Sequence, residues 1–201
     1  MTALIFTVVG FLSGSLMFSA WIARYILGRD LSGVGDGNPG STNVLKAGGA
    51  AWGGLAFILE ICKGAVPVGL ARYTVGITGW ELVPIAIAPV LGHAFSPWLG
   101  FKGGKAMAVT FGIWIGLTLW TLPAIGLPIL VAAVLLLDNS GWAVVILFSV
   151  GAIVLLIAGE PILLTVLMLN AAIVIYKYRA DLRRRPGLRR WARRILGQPV
   201  T

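Results

Sequence analysis

Between Met107 and Tyr176 the chain carries two charged residues, Asp138 and Glu160, in seventy positions. A stretch that long and that poor in charge has no means of covering itself with a water-facing surface, which leaves repeated bilayer crossings as its fold. The whole chain follows suit, with 58% hydrophobic and 11% charged residues, against roughly 25% charged in an ordinary soluble domain. The expectation is an integral membrane protein built of helices, because a helix satisfies its own backbone hydrogen bonds in lipid. A lone cysteine, Cys62, excludes an intrachain disulfide, and with the single histidine, His93, argues against a His/Cys metal site.

Seven apolar segments are long enough to cross, near 4–26, 52–73, 82–99, 107–120, 123–137, 142–158 and 162–178. The last four are divided at Pro123, at Asp138-Asn139-Ser140-Gly141 and at Gly159-Glu160-Pro161, where proline, glycine and acidic residues interrupt the run. Because proline can merely kink a spanning helix, six spans remain an alternative to seven. The charges choose between them. Of the sixteen Lys and Arg, nine lie from Lys177 onward with one acid, Asp181, which puts the C-terminus in the cytoplasm. Counting back across seven spans places the loops holding Lys46 and Lys102/Lys105 on that same side and the N-terminus outside. Six spans would separate Lys102 and Lys105 from the tail. The expected fold is an all-α polytopic membrane protein with seven transmembrane helices, multi-pass in the cell inner membrane. Its transmembrane domain covers 1–178, with cytoplasmic glycine-rich loops at 28–49 and 100–106. The first segment has no basic leader or small-residue cleavage site, and is expected to be a retained helix.

The basic tail over 179–201 alternates arginine with Leu188, Trp191, Ile195 and Leu196. That spacing suits a short interfacial helix on anionic membrane lipid, or a topology signal alone. Nucleic acid is not an expected partner.

The first cytoplasmic loop reads Gly35-Asp36-Gly37-Asn38-Pro39-Gly40-Ser41-Thr42-Asn43-Val44-Leu45-Lys46, and the second Gly100-Phe101-Lys102-Gly103-Gly104-Lys105. Bare backbone N–H groups, short side-chain donors and a lysine are what a phosphate requires. If helices begin near Trp52 and Ala106, their positive ends reinforce the same region. Flexible connectors are the bland alternative. The second loop is one residue short of a nucleotide-binding loop, and Ala106 stands where a Ser or Thr would hold magnesium. Trp98 occupies the place of the aspartate in a His-x4-Asp acyltransferase motif, and no serine sits in a nucleophile elbow. Glu60 and Lys63, three apart within the second span, are spaced to pair with each other. His93, near the cytoplasmic end of the third span, is either a satisfied buried histidine or a catalytic one.

These blocks resemble the bacterial acyl-phosphate glycerol-3-phosphate acyltransferases, the PlsY family. The family's G-S-G-N-x-G-A-T-N-x-x-R is similar to Gly35 through Lys46, its D-x-x-K-G to Glu60-Ile61-Cys62-Lys63-Gly64, and its G-H-x-F-P…F-x-G-G-K-G to Gly92-His93-Ala94-Phe95 through Phe101-Lys102-Gly103-Gly104-Lys105. The resemblance implies seven helices, a cytoplasmic active site, and transfer of a fatty acyl group from acyl phosphate to the sn-1 hydroxyl of glycerol 3-phosphate. The products are lysophosphatidic acid and phosphate, with no metal and no cofactor. The chain departs from the pattern at Asp36 for serine, Lys46 for arginine, Glu60 for aspartate and Ala106 for glycine. At the end of the seventh span it reads Tyr176-Lys177-Tyr178-Arg179-Ala180-Asp181 where the family reads Y-x-H-R-x-N. A carboxylate facing a phosphate dianion repels it unless a cation intervenes.

The site expected from this reading has Gly40, Ser41, Thr42, Asn43, Gly103 and Gly104 holding the acyl phosphate, with Gly37, Asn38 and Lys63 in the same pocket. Lys105 offsets charge on the leaving phosphate, while Lys46, Arg179 and Asp181 meet the acceptor. Because acyl phosphate is an activated anhydride, positioning and electrostatics supply most of the rate. A substrate phosphate oxygen takes the hydroxyl proton, with Asp36 or His93 as the fallback base. Rival readings are a different acceptor, a non-catalytic binder of lipid phosphate, and a small-anion transporter. The last lacks the polar series through the midplane that transport needs, Asn170 and Glu60/Lys63 being its only support.

Overall fold

A computed structural model describes residues 1–195 and is helical throughout, with no strand among the described residues beyond an isolated bridge between Leu137 and Leu188. It comprises two compact units, Met1–Trp120 and Thr121–Thr201. Four helical stretches are long and apolar enough to cross a membrane: Thr2–Ile26, Ser41–Thr74, Gly79–Leu99 and Ser140–Ala158. Three shorter apolar helices, Met107–Thr118, Thr121–Leu136 and Pro161–Lys177, fall where the sequence places its other segments.

In the first unit, α1 (Thr2–Ser15) and α2 (Phe18–Trp21) form one stretch interrupted at Leu16 and Met17, whose extended backbone (Leu16 φ −63°, ψ 123°) leaves a carbonyl outside the helical ladder. A π turn over Ile22–Ile26 closes the stretch. Helix α3 (Ser41–Gly69) starts eleven residues before the expected Trp52. The polar Ser41-Thr42-Asn43 opens it, and Gly49, at φ 82°, breaks it where the apolar run begins. Helices α4 (Leu82–Ala94) and α5 (Met107–Thr118) complete the unit. The break expected at Pro123 falls at Leu119 instead, a non-glycine residue held at a positive φ of 53°. Pro123 sits in the first turn of α6 (Thr121–Leu136), where its missing N–H costs no helical bond.

Small residues set the packing, as in helices that associate without a hydrophobic drive. A Cβ on Gly14 of α1 would strike the Pro89 backbone of α4, and one on Gly92 would strike the Phe11 carbonyl. Gly112 of α5 abuts the Ile61 carbonyl of α3 in the same way. These contacts bring α1, α3, α4 and α5 to backbone distance and leave room inside for only a few long side chains.

The second unit holds α6, α7 (Ser140–Ala158), α8 (Pro161–Lys177), α9 (Arg179–Leu182) and α10 (Arg190–Ile195). Asn139 caps α7, its Oδ1 accepting from Gly141 N at 2.9 Å, while its Nδ2 donates to the Asp181 and Arg184 carbonyls. The tail helix expected after Gly187 forms over α10. Arg189 N donates to the Leu136 carbonyl at 2.9 Å and Trp191 Nε1 to the Leu135 carbonyl at 3.2 Å, so the tail is tied to the end of α6. Leu196, expected to continue its apolar side, lies outside the described residues.

Candidate anion site at two glycine-rich loops

The first loop folds on itself through Asp36 and Asn43. Asp36 Oδ1 accepts from Asn43 Nδ2 at 2.7 Å and from Asn38 N at 3.3 Å, and Asn43 Nδ2 also donates to the Asn38 carbonyl at 2.9 Å. Asn43 is buried in the first turn of α3, so the helix start holds the loop. The loop then crosses to the second one. Lys105 N donates to Asn38 Oδ1 at 3.0 Å, and Lys105 Nζ lies 2.8 Å from Asp36 Oδ2. Two segments sixty-nine residues apart thus share one polar cluster. Lys46 joins it from α3, its Nζ crowding the Cβ position that Gly35 leaves open.

Burial pushes the Asp36 carboxyl up, but the hydrogen bonds from Lys105 and Asn43 and the Lys105 charge outweigh it and hold the group at about 2. Asp36 is therefore an anion at neutral pH and a weak base. Ser41 and Thr42 head α3, and Met107 heads α5 one residue past Lys105, after Ala106. The N–H groups of both helix starts have no intrahelical acceptor and add positive potential to the cluster.

Behind the loops lies a second network, inside the helices. Glu60, Lys63 and His93 are each at most 4% exposed. Glu60 Oε2 is 2.6 Å from Lys63 Nζ and 3.2 Å from His93 Nδ1, and Lys63 Nζ is 2.8 Å from His93 Nδ1. Glu60 Oε1 accepts from the Ser19 hydroxyl at 2.9 Å and from Ser19 N at 3.1 Å. The Lys63 ammonium also donates to the Leu16 carbonyl at 2.5 Å, the group freed by the α1–α2 interruption. On its other side His93 carries the second loop. Its carbonyl accepts from Gly104 N at 3.2 Å, a Cβ on Gly104 would strike its Nε2, and a Cβ on Gly103 would overlap its carbonyl. Both glycines are required by this close approach.

The structure therefore joins Asp36, Asn38, Asn43 and Lys105 directly, with Lys46 against Gly35 and Gly40 against Asn38; Gly37 lies within the same loop, Ser41 and Thr42 in the first turn of α3, and Gly103 and Gly104 pack on His93 beside Lys105. It puts Lys63 and His93 beneath that cluster, turned toward Glu60. Arg179 and Asp181 belong to the second unit. There the Arg179 guanidinium stacks 4.4 Å from the Tyr176 ring centre and donates to the Tyr176 carbonyl, and the Asp181 carbonyl accepts from Asn139. Ser13, Ser15, Ser19 and Ser96 escaped the sequence reading. Ser13 Oγ donates to the Lys63 carbonyl at 2.9 Å, and Ser96 Oγ to the Ser15 carbonyl at 2.7 Å. The signal was present as hydroxyls in otherwise apolar helices, which must find partners there.

Helices fit for several crossings define a multi-pass membrane protein, and the lysines and glycines of the two loops gather at one end of its first unit. The chain belongs to the glycerol-3-phosphate acyltransferase family, whose model matches residues 4–185. It is 33% identical over 201 aligned positions to the glycerol-3-phosphate acyltransferase of Aquifex aeolicus, covering 92% of this chain and 95% of that one. It is 43% identical over 119 positions to glycerol-3-phosphate acyltransferase 1 of Thermotoga maritima, where the match spans 58% of the relative's length. A crystal structure of PlsY, described as an integral membrane glycerol 3-phosphate acyltransferase in its glycerol 3-phosphate form, superposes with a TM-score of 0.83 at 29% identity. That superposition covers all of this chain and 95% of that one. The lysophosphatidic acid form of PlsY gives 0.82 at 27% identity.

Proposed function

We propose that this chain transfers a fatty acyl group from acyl phosphate to the sn-1 hydroxyl of glycerol 3-phosphate, releasing lysophosphatidic acid and phosphate. The observation that carries the reading is the joining of the two glycine-rich loops through Asp36, Asn38 and Lys105. It makes one site of two segments that each offer backbone donors and a cation. Family membership and the likeness to PlsY in its glycerol 3-phosphate form support the acceptor. In this reading the seven apolar helices all cross the inner membrane with the N-terminus outside. The loops then face the cytoplasm, where a lipid-borne donor meets a water-borne acceptor, and the distribution of Lys and Arg supports that orientation.

The acceptor oxygen attacks the acyl carbon, the bond from that carbon to the bridging phosphate oxygen breaks, and the hydroxyl proton passes to a phosphate oxygen of the substrates. Amides of the two loops and the Ser41 and Thr42 hydroxyls cradle the leaving phosphate. Lys105 shifts from Asp36 toward its growing charge, and Lys46 offers the second cation. In this reading the substrate phosphate is the base, since hydrogen bonds and the Lys105 charge hold Asp36 at about 2 and His93 is buried between Lys63 and Gly104. Lys63 holds the site from behind through the same histidine.

A second reading keeps the reaction and changes the acceptor. Asp36 neutralises one of the three loop lysines, which favours an acceptor with less negative charge than glycerol 3-phosphate. Purified protein supplied with acyl phosphate and a panel of acceptors, analysed by mass spectrometry, tests both. Acylated glycerol 3-phosphate establishes the first reading, acylation of a less anionic acceptor the second, and no acyl product refutes both.

A further inference from the structure

Beside the loop cluster the first unit contains a cleft of about 650 Å³ lined by Arg24, Arg29, Asp30, Lys102 and the edge of the first loop at Gly37 and Pro39, with Ala20, Leu31 and Leu99 as apolar wall. That volume is in the range of ligand pockets. Its three cations come from three places in the chain: the π turn that closes the first membrane-length stretch, the segment after it, and the second glycine-rich loop. None of the three forms a salt bridge among the described residues, and all three are exposed. The one carboxylate in the cleft, Asp30, accepts from Ser32 N at 2.9 Å and from the Ser32 hydroxyl at 2.7 Å and feels the Arg24 charge, so the cleft keeps a net positive charge of its three cations against one acid. Three cations around one cavity repel each other, and an anion between them relieves that repulsion.

The surroundings say which anion. Arg24 and Arg29 flank the end of Thr2–Ile26, a helix long enough to span a bilayer, and exposed aromatic residues cluster there: Tyr25, Trp98 and Phe101. Trp98 stands edge-on to Trp21 at 6.3 Å. Aromatic rings and arginines at a helix end mark the headgroup level of a membrane. A phospholipid headgroup sits at that level, its acyl chains continuing into the bilayer beside the helix. We infer that the cleft formed by Arg24, Arg29 and Lys102 is a docking site for the headgroup of an anionic phospholipid, separate from the Asp36–Lys105 cluster and sharing the first loop with it through Gly37. Lipid in the cleft bears on the loop that carries Asp36, so the membrane's anionic lipid content is coupled to the site.

The test is native mass spectrometry of the full chain released from vesicles of equal parts phosphatidylcholine and phosphatidylglycerol, which reads lipid binding with no reference to acyl transfer. The wild type is expected to retain phosphatidylglycerol in preference to phosphatidylcholine. R24Q/R29Q is expected to lower that preference roughly 10- to 30-fold, at about three- to fivefold per basic residue, while R24K/R29K retains it. Inorganic phosphate added in excess leaves the bound lipid in place. Any of three results overturns the assignment: equal retention by wild type and R24Q/R29Q, loss of the lipid on adding inorganic phosphate, or loss of the preference in the tail variant R189Q/R190Q but not in R24Q/R29Q. Both glutamine positions are exposed, and an unchanged thermal transition in detergent separates lost binding from lost folding. Should that transition fall, K102Q replaces the double variant, and an undiminished preference in it is equally fatal.

Discussion

The ammonium of Lys105 lies 2.8 Å from the carboxylate of Asp36, so the second glycine-rich loop meets the first through a pair of opposite charges rather than through a neutral contact. The pair lies at the surface, with the Asp36 side chain 48% and the Lys105 side chain 19% exposed, and an exposed pair contributes little to stability. Its consequence is for binding. A cation already neutralised by a carboxylate offers less to an incoming phosphate than a free one, and the carboxylate itself opposes the phosphate.

Removing the carboxylate charge is therefore expected to strengthen phosphate binding. Asp36→Ser, which keeps a hydroxyl for Asn43 to donate to, should lower KM for glycerol 3-phosphate roughly five- to tenfold. Lys105→Ala should cut kcat/KM by roughly 100-fold or more, as loss of a charged group stabilising a leaving phosphate does. Steady-state phosphate release in lipid reads both. A Lys105→Ala variant with near wild-type turnover would remove Lys105 from the chemistry.

The pair also fixes a pH response. The folded carboxyl of Asp36 sits at about 2, below the ordinary 3.8 of an aspartate. A depressed pKa contributes stability that is complete above the unfolded value and is lost as pH falls through the folded one. The loops should then be equally well joined from neutral pH down to about 4 and come apart toward pH 2. Hydrogen exchange at the Asn38 and Lys105 amides, followed from pH 7 downward, should show constant protection and then a fall in that window. Asp36→Ser should abolish the pH-dependent step.

The membrane class and the separate apolar helices were legible because lipid imposes a crude rule on composition, one that Thr121–Leu136 and Ser140–Ala158 obey residue by residue. The start of α3 was not legible. Its first turns are polar and glycine-rich, and hydropathy registers only the stretch after Gly49. The loop cluster was visible as a set of residue types, and the Glu60–Lys63 pairing followed from a three-residue spacing on one helix. What no spacing reveals is contact between distant segments. His93 lies thirty positions from Lys63 on a different helix, and only the packing of α4 against α3 brings the two within 2.8 Å. The choice between a satisfied and a catalytic histidine, open from sequence, turns on that packing.

Gly103 offers a test of how tightly the second loop is set. A Cβ there would overlap the His93 carbonyl and press on Ala94, whereas one on Gly54, in α3, meets nothing within 4 Å. Gly103→Ala must push the loop outward by a fraction of an ångström to about an ångström, a displacement able to cost about 100-fold in rate. Gly54→Ala should leave activity unchanged. Comparing kcat for the two variants, with their melting temperatures as control, separates a displaced loop from a disturbed helix.

The buried network should respond to charge in a way the surface pair does not. Lys63→Met removes the cation and leaves the Glu60 carboxylate with only Ser19 and His93 around it. Breaking a buried pair from one side costs about 3–5 kcal/mol, mostly the burden of the charge left behind. Removing both charges in Glu60→Gln/Lys63→Met should recover a large part of that loss, because the glutamine still accepts from Ser19 and neither charge remains buried. Thermal unfolding in detergent of the two single variants and the double gives the coupling directly. If the network acts only by holding His93 and the Gly103–Gly104 loop in place, the double variant should regain activity along with stability. Stability regained without activity would mean that the Lys63 charge itself reaches the substrates.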